Sequence, residues 1–236
     1  MKHWWLRLGT GRLPIALAGA LGRGGALCQG SGRRPLFALT FDDGPDPRWT
    51  PAILDALAAA GAHATFFCTG LAAQRHPELV RRAATEGHEI ASHLWSHQRD
   101  TVDSDEAFAG ELARSLELLA ALAGRPVRHL RFPYGRAGRQ ARRPLPAGVR
   151  AVHWSISGHD SREPDPAAIV ARLGAGLRPG AIVLLHDAIA DEGRIAPPYL
   201  RTRDATAAAI APLLALARAR GLEAVSVAEL LDDGGR

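Results

Sequence analysis

The chain has 236 residues, 47% of them hydrophobic and 22% charged, which is enough for a single domain with a substantial buried core. Its formal net charge is +5, but acidic residues are dispersed among the basic ones and no aromatic stripe accompanies them, which argues against nucleic-acid binding. The two cysteines, Cys28 and Cys68, lie far apart; Cys68 falls in an apolar, strand-like run and is expected as a buried thiol rather than half of a disulfide.

The N-terminal stretch Leu13 to Gly22 is apolar and lies between Arg12 and Arg23, after Trp4 and Trp5. Its ten residues are too few to span a bilayer. It reads either as a short signal-like segment ending near Ala18-Gly19-Ala20, or as an appended helix on the domain or at a membrane interface. The signal-like character is weak, which favours a cytoplasmic or membrane-associated chain over an exported one, and localisation stays open. The organisation expected is an N-terminal extension over 1–34, one domain over 35–231, and a tail over 232–236, with Gly30 to Arg34 read as unstructured. The expected assembly is a monomer.

From Leu36 onward, short apolar runs alternate with helical patterns. Leu36 to Leu39 opens a first strand that runs into Thr40-Phe41-Asp42-Asp43-Gly44-Pro45. Thr50-Pro51 then supplies an N-cap with proline at the first helical position, Ile53, Leu54 and Leu57 give one apolar face, and Gly61 closes the helix. Ala62 to Thr69 predicts a second strand, Pro77 to Glu86 a helix stopped by Gly87, and His88 to Ser92 a third strand. A long helix is expected from about Ser104 to Ala123, capped by Asp103, with Phe108, Leu112, Leu116 and Leu119 facing a core. Val127 to Phe132 is a fourth strand, and Arg136 to Arg143 has room for a short helix. Val149 to Ser155 is a fifth strand, Asp165-Pro166 starts a helix ending near Gly176, and Ala181 to Leu185 is a continuously apolar sixth strand. Ala205 to Arg220 forms an amphipathic helix closed by Gly221, and Leu222 to Val227 is the seventh strand. Seven strands interleaved with helices predict parallel pairing through right-handed crossovers in one α/β domain.

Two adjacent carboxylates, Asp42 and Asp43, end the first strand. Burying like charges side by side is costly unless a cation accompanies them. A bound cation would account for the pair, one carboxylate ligating it and the other acting as a base; the plainer alternative is a turn, since Asp-Gly and Gly-Pro both form turns. His93 and His97 stand four residues apart, and on one helical turn such a pair shares a face and can chelate one ion. Asp43 with the two histidines makes a three-ligand set suited to one divalent metal ion, with Zn2+ the default and Co2+, Ni2+ or Mn2+ also accepted by these donors. Asp42, Asp43, His93, His97, Arg131, Asp160 and His186 all fall at carboxyl ends of predicted strands, where α/β sheets and barrels build their sites.

Four segments, TFDDGP (40–45), HLWSH (93–97), RFPYG (131–135) and LLHD (184–187), resemble in order and spacing the motifs of the polysaccharide deacetylase family, the NodB-homology carbohydrate esterases of family 4. The resemblance runs from about Leu36 to Leu231. It implies a distorted (β/α)7 barrel with parallel strands, and metal-dependent removal of N- or O-acetyl groups from an acetylated glycan or glycoconjugate. By the same resemblance Asp43, His93 and His97 hold the metal, Asp42 is the general base, and His186 is the acid that protonates the leaving group. Arg131 would orient Asp42, Asp160 would orient His186, the Tyr134 backbone N–H would meet the oxyanion, and Leu184 would contact the acetyl methyl. The segment Trp154 to Ser161 departs from the family pattern, which usually ends Asp-Trp: Ser161 stands where a tryptophan helps wall the acetyl pocket. That keeps open an O-acetyl esterase or another C–N hydrolase, while a silent carbohydrate-binding protein would be expected to have lost a member of the set. Asp187 is assigned no catalytic role. His63, His76, His88, His129 and His153 are read as structural or surface residues, and the loops Arg136 to Gly148 and Ala188 to Arg203, the latter with Tyr199, as candidate subsites.

Overall fold

The computed structural model describes residues 25–98, 105–135, 145–190 and 202–232. The segment Leu13 to Gly22, the expected cap Asp103, the basic stretch Arg136 to Arg143 and Tyr199 lie outside the described residues.

The sheet is built around β1 (Leu36–Asp42), whose seven residues are all buried. Every ladder is parallel, and the strand order is β5-β4-β3-β2-β1-β7-β6. The members are β2 (Thr65–Cys68), β3 (Glu89–Ser92), β4 (His129–Leu130), β5 (Arg150–Ala151), β6 (Ile156–Ser157) and β7 (Ile182–His186). One edge of β1 pairs with β7 over Ala38–Asp42, while its other edge takes β8 (Glu223–Val225) at Leu36–Ala38 and then β2 at Thr40–Asp42. The path therefore has seven strand positions, with β8 continuing the β2 edge: the expected distorted barrel of parallel strands.

Strand parity sorts the side chains. Phe37, Leu39 and Phe41 of β1, with Val183 and Leu185 of β7, face outward into the main core. There they meet α1 (Thr50–Ala60) through Ile53, Leu54 and Leu57, α4 (Asp105–Ala123) through Leu119, α5 (Pro166–Gly176) through Ile169 and Leu173, and α6 (Asp204–Ala219) through Ile210 and Leu213. Leu36 and Ala38 of β1 and Ile182 of β7 face the barrel interior, packed with Leu27, Phe67, Ala91, Val152, Val227 and Leu230. With a period of two, the next inward residues are Thr40 and Asp42 on β1 and Leu184 and His186 on β7. The first site residues thus point into the mouth of the barrel because of their position in the strand.

The gap between β5 and β6–β7 is bridged by the segment ahead of β1. Leu27 forms a parallel bridge with Val152 and Gln29 an antiparallel one with Ala181. Leu27 N donates to Ala151 O at 2.9 Å, and Gly30 N to Gly180 O at 2.8 Å. Gly30, read from sequence as part of an unstructured stretch, is instead buried.

Several local expectations change. Trp49, not Thr50, is the N-cap of α1, because the Thr50 hydroxyl is engaged with Asp187 and the Asp46 N–H. The strand expected over Val149 to Ser155 is cut down to β5, and a second short strand, β6, follows just beyond it; the two pair on opposite sides of the gap, β5 with β4 and β6 with β7. Two short helices, α2 (Gly70–Arg75) and α7 (Val227–Leu231), were not foreseen, and α3 (Pro77–Thr85) follows α2 directly. Ser226, expected within the last strand, begins α7 through a capping box: Glu229 N donates to Ser226 Oγ at 3.2 Å and Ser226 N to Glu229 Oε2 at 2.8 Å. Cys68 is a buried free thiol, as expected, and burial pushes it well above its ordinary pKa. No described helix is long and apolar enough to cross a membrane.

Because α7 carries Val227 and Leu230 into the barrel interior, its cap bears on global stability. Ser226→Ala is expected to lower the unfolding free energy by about 1 kcal/mol, read as a lower urea midpoint with unchanged slope.

Candidate metal centre and active site

Asp42, at the last inward position of β1, meets Arg131, which leaves the end of β4. The Arg131 side chain is wholly buried. Its Nη1 donates to Asp42 Oδ1 and to Thr40 Oγ1, both at 2.7 Å, its Nη2 to His153 O at 2.9 Å, and its guanidinium lies 4.1 Å from the centre of the Phe67 ring. Burial disfavours the charged guanidinium and Asp42 opposes that effect, so the two charges are tolerable in the interior only as a pair.

Asp43 has a φ of 82°. On a continued strand it would point toward the helix layer; the left-handed turn swings its carboxylate back toward the barrel mouth instead. Asp43 Oδ1 lies 3.5 Å from His93 Nε2 and 3.4 Å from His97 Nε2. The ligand atoms of these three residues all lie within 4.8 Å of one another. His93 Nδ1 is 2.8 Å from the Arg131 carbonyl, an acceptor, so that nitrogen carries the proton and Nε2 presents its lone pair to the cluster. Burial, reinforced by His97, pushes the His93 pKa down to about 3, which keeps the ring neutral. The two histidines do not share a helical turn as their spacing predicted. Residues 93–97 form a loop in which Leu94 and His97 both adopt left-handed backbone, with φ of 64° and 59°, and the rings lie 5.0 Å apart.

The donor set fits a divalent cation. Asp43 Oδ1 and His97 Nδ1 are buried and meet no hydrogen-bond partner among the described residues. An unpaired buried carboxylate oxygen facing two imidazole nitrogens is costly as it stands, and a metal ion at that point would satisfy it.

On the other flank of β1, His186 ends β7 opposite Asp42 in the strand register. Asp160, three residues past β6, lies with Oδ1 2.9 Å from His186 Nδ1, and its Oδ2 accepts from His186 N and Thr206 Oγ1, both at 2.8 Å. Burial alone would lower the His186 pKa; the charge and hydrogen bond of Asp160 outweigh it, with help from Asp43 and Asp42, and raise it to about 9. Leu184 is buried between Thr40 and Ser157. Tyr134 occupies a short turn with φ of 60°; its hydroxyl donates to His97 O at 3.1 Å and its ring lies 4.5 Å from that of His97. Trp154 packs against the same turn, where a Cβ on Gly135 would collide with its ring. Ser161 is half-buried and His159 is exposed.

Two residues to which the sequence assigned no role at the site belong to this region. Asp187 is buried and accepts from Gly44 N at 3.1 Å and Thr50 Oγ1 at 2.7 Å, fastening the turn that carries Asp43. Burial above all, with the charge of Asp43 adding, raises its pKa to about 7. Glu111 of α4 accepts from the loop between the two histidines. The only hint of the first was its place after His186, and nothing in the sequence marks the second. His153, read as structural, is buried beside Arg131, and burial lowers its pKa to about 4.

A buried Asp-His-His donor set at the mouth of a parallel α/β barrel, with a carboxylate beside it and an imidazolium on the next strand, defines the class as a metal-dependent hydrolase of the barrel type. More narrowly, the chain belongs to the polysaccharide deacetylase family, whose sequence model it matches over residues 29–147. It is 37% identical over 195 residues to a chitooligosaccharide deacetylase of Bradyrhizobium sp. (strain ANU 289), covering 82% of this chain and 89% of that one. It is 34% identical over 199 residues to a peptidoglycan-N-acetylglucosamine deacetylase of Bacillus cereus, covering 83% and 88%. The solved structure of the peptidoglycan deacetylase PdaC from Bacillus subtilis superposes with a TM-score of 0.72 at 27% identity, covering 84% of this chain and 91% of that one.

Removing one partner of the Arg131–Asp42 pair strands the other charge in the interior. Arg131→Met is expected to destabilise the fold by about 3–5 kcal/mol, and adding Asp42→Asn to restore part of that loss, as read by a double-mutant cycle in denaturant.

Proposed function

We propose that this protein removes N-acetyl groups from amino sugars of a polysaccharide or glycoconjugate. The observation that carries the reading is the unpaired Asp43 Oδ1, facing His93 and His97, with Asp42 beside it and His186 on the adjacent strand. The names of the similar proteins support the substrate class.

Asp43, His93 and His97 would hold one divalent ion, Zn2+ by donor preference, with Co2+, Ni2+ or Mn2+ also suited to the set. When bound, such an ion supplies Lewis acidity, polarising an acetyl carbonyl and lowering the pKa of water toward about 7. Asp42 is the base. Arg131 fixes it through Oδ1, and its other oxygen takes the proton of the water that attacks the acetyl carbon. The negative charge that develops on the acetyl oxygen is met by the Tyr134 backbone N–H. An amide nitrogen leaves only as a neutral amine, so a proton must be delivered to it. His186, held cationic at neutral pH by Asp160 on Nδ1, gives that proton from Nε2. Leu184 lines the pocket for the acetyl methyl. The small side chain at Ser161 leaves room for a second reading, hydrolysis of an O-acetyl ester or another C–N bond such as a formamide with the same residues.

The test is acetate release from N-acetylglucosamine oligomers, peptidoglycan fragments and O-acetylated xylan, each with chelator and with zinc restored. The expected result is chelator-sensitive acetate from the amino sugars, reduced about 10²- to 10⁴-fold in Asp42→Asn. Acetate from xylan alone would select the ester reading, and activity unaffected by Asp42→Asn would remove the assignment of the base.

The His186–Asp160 pair also fixes a pH dependence. His186 is protonated below about 9, against an ordinary value of 6.5, so the acid is lost as pH rises through that range. The stability contributed by the pair follows the same sign: fully present below about 6.5 and lost as pH climbs to about 9. Asp160→Asn removes the strongest influence holding the proton on. The alkaline limb of the kcat profile should move to lower pH in that variant, and an unmoved limb would exclude His186 as the acid.

A further inference from the structure

Between the two histidines of the metal cluster lies a stretch of chain that no regular element dictates. Leu94 and His97 both sit in left-handed backbone, φ 64° and 59°, which residues bearing a Cβ adopt rarely, so the surroundings must impose the shape. On one side the first backbone N–H groups of α2 meet the loop: Gly70 N donates to Leu94 O at 2.9 Å and Leu71 N to Trp95 O at 3.0 Å. At its far end the Tyr134 hydroxyl donates to His97 O. Three of the loop's donors converge on one side chain. Glu111 Oε2 accepts from Trp95 N at 3.1 Å and Ser96 N at 2.9 Å, and Glu111 Oε1 accepts from the Ser96 hydroxyl at 2.6 Å. The same face of α4 adds Arg114, whose guanidinium lies 3.5 Å from the centre of the Trp95 ring, and Ser115, whose hydroxyl is 2.9 Å from that of Ser92.

We infer that Glu111 is a positioning residue for the metal centre, holding the 93–97 loop so that His93 and His97 address the same oxygen of Asp43. Its carboxylate bonds to Trp95 and Ser96 rather than to the cluster residues, and it acts through the backbone of that loop. A carboxylate suits the task because three donors aim at two oxygens, and bonds to a charged acceptor are stronger and shorter than neutral ones. Without it, two backbone N–H groups of a partly buried loop lose their acceptor, and the loop relaxes away from its left-handed turns, separating the two imidazoles. The inference rests on reading Asp43, His93 and His97 as a metal site.

The experiment measures zinc affinity directly, by competition with a chromophoric chelator on the metal-stripped, purified full chain, alongside thermal melting and circular dichroism. Glu111→Leu is expected to weaken zinc binding by about ten- to a hundredfold, the usual range for residues that orient metal ligands. Glu111→Gln keeps the shape and can accept through its carbonyl but loses the charge, so about a three- to tenfold loss is expected. Leu119→Ala, on the same helix but facing the main core, should lower the melting temperature and leave the affinity within twofold. The inference is overturned if folded Glu111→Leu binds zinc as tightly as the parent, or if Leu119→Ala loses as much affinity as Glu111→Leu. Should Glu111→Leu not fold, unchanged affinity in Glu111→Gln overturns it equally. A parent chain that binds no divalent metal sinks the metal-site reading itself, an outcome distinct from a parent that binds and variants that do not differ.

Discussion

A guanidinium stripped of all water is among the least favourable groups to place inside a protein, and here one occupies the centre of the barrel. Arg131 is tolerated because every direction around it is answered: Asp42 and Thr40 on β1, the carbonyls of Val152 and His153 beyond β5, and the Phe67 ring on β2. Those partners come from strands distributed around the sheet, so the arginine acts as an internal strut as well as a counter-ion. Its main chain does a second job, since the Arg131 carbonyl fixes the ring of His93. Asp42 and His93 are thereby tied to the same residue, and neither can shift without disturbing the other.

Around this strut the mouth of the barrel carries an excess of negative charge. Asp42 is matched by Arg131 and Asp160 by His186, each at hydrogen-bond distance. Asp43 has no such partner among the described residues, and Asp187 below it escapes part of the conflict by holding its proton up to about pH 7. The imbalance falls at the point where the imidazoles of His93 and His97 converge. It is the electrostatic counterpart of the orphaned oxygen, and a divalent cation removes both.

How much of this could be read from residues alone depended on whether the signal was local. The helices α4, α5 and α6 announced themselves through apolar spacing and caps, and β1 and β7 through continuous apolar runs, because each is long enough to repeat its pattern. The apolar runs over Val127 to Phe132 and Val149 to Ser155 located β4 and β5, but two-residue strands have no period to detect, so their extents, and β6 altogether, are set by neighbours in the sheet. Thr50 had the chemistry of a helix cap, yet a partner 137 residues away claimed its hydroxyl. Ser226 and Glu229 did carry a legible capping box, which the apolar residues before them masked as strand. At the site, the motif residues fell at strand ends where the fold collects them. The histidine spacing suggested a helix where the chain instead makes two left-handed turns stabilised from outside. Asp187 and Glu111 could not be found that way, since their importance lies in whose backbone they hold.

The bridge made by Leu27 and Gln29 matters beyond the barrel interior. A shortened chain beginning at Leu36 would keep β1 and every residue of the site, yet the facing sides of β5 and of β6–β7 would be left with unsatisfied backbone groups around a hole where Leu27 had been. Open strand edges recruit other strands, so such a chain would be prone to self-association and intermolecular sheet extension even with its chemistry intact.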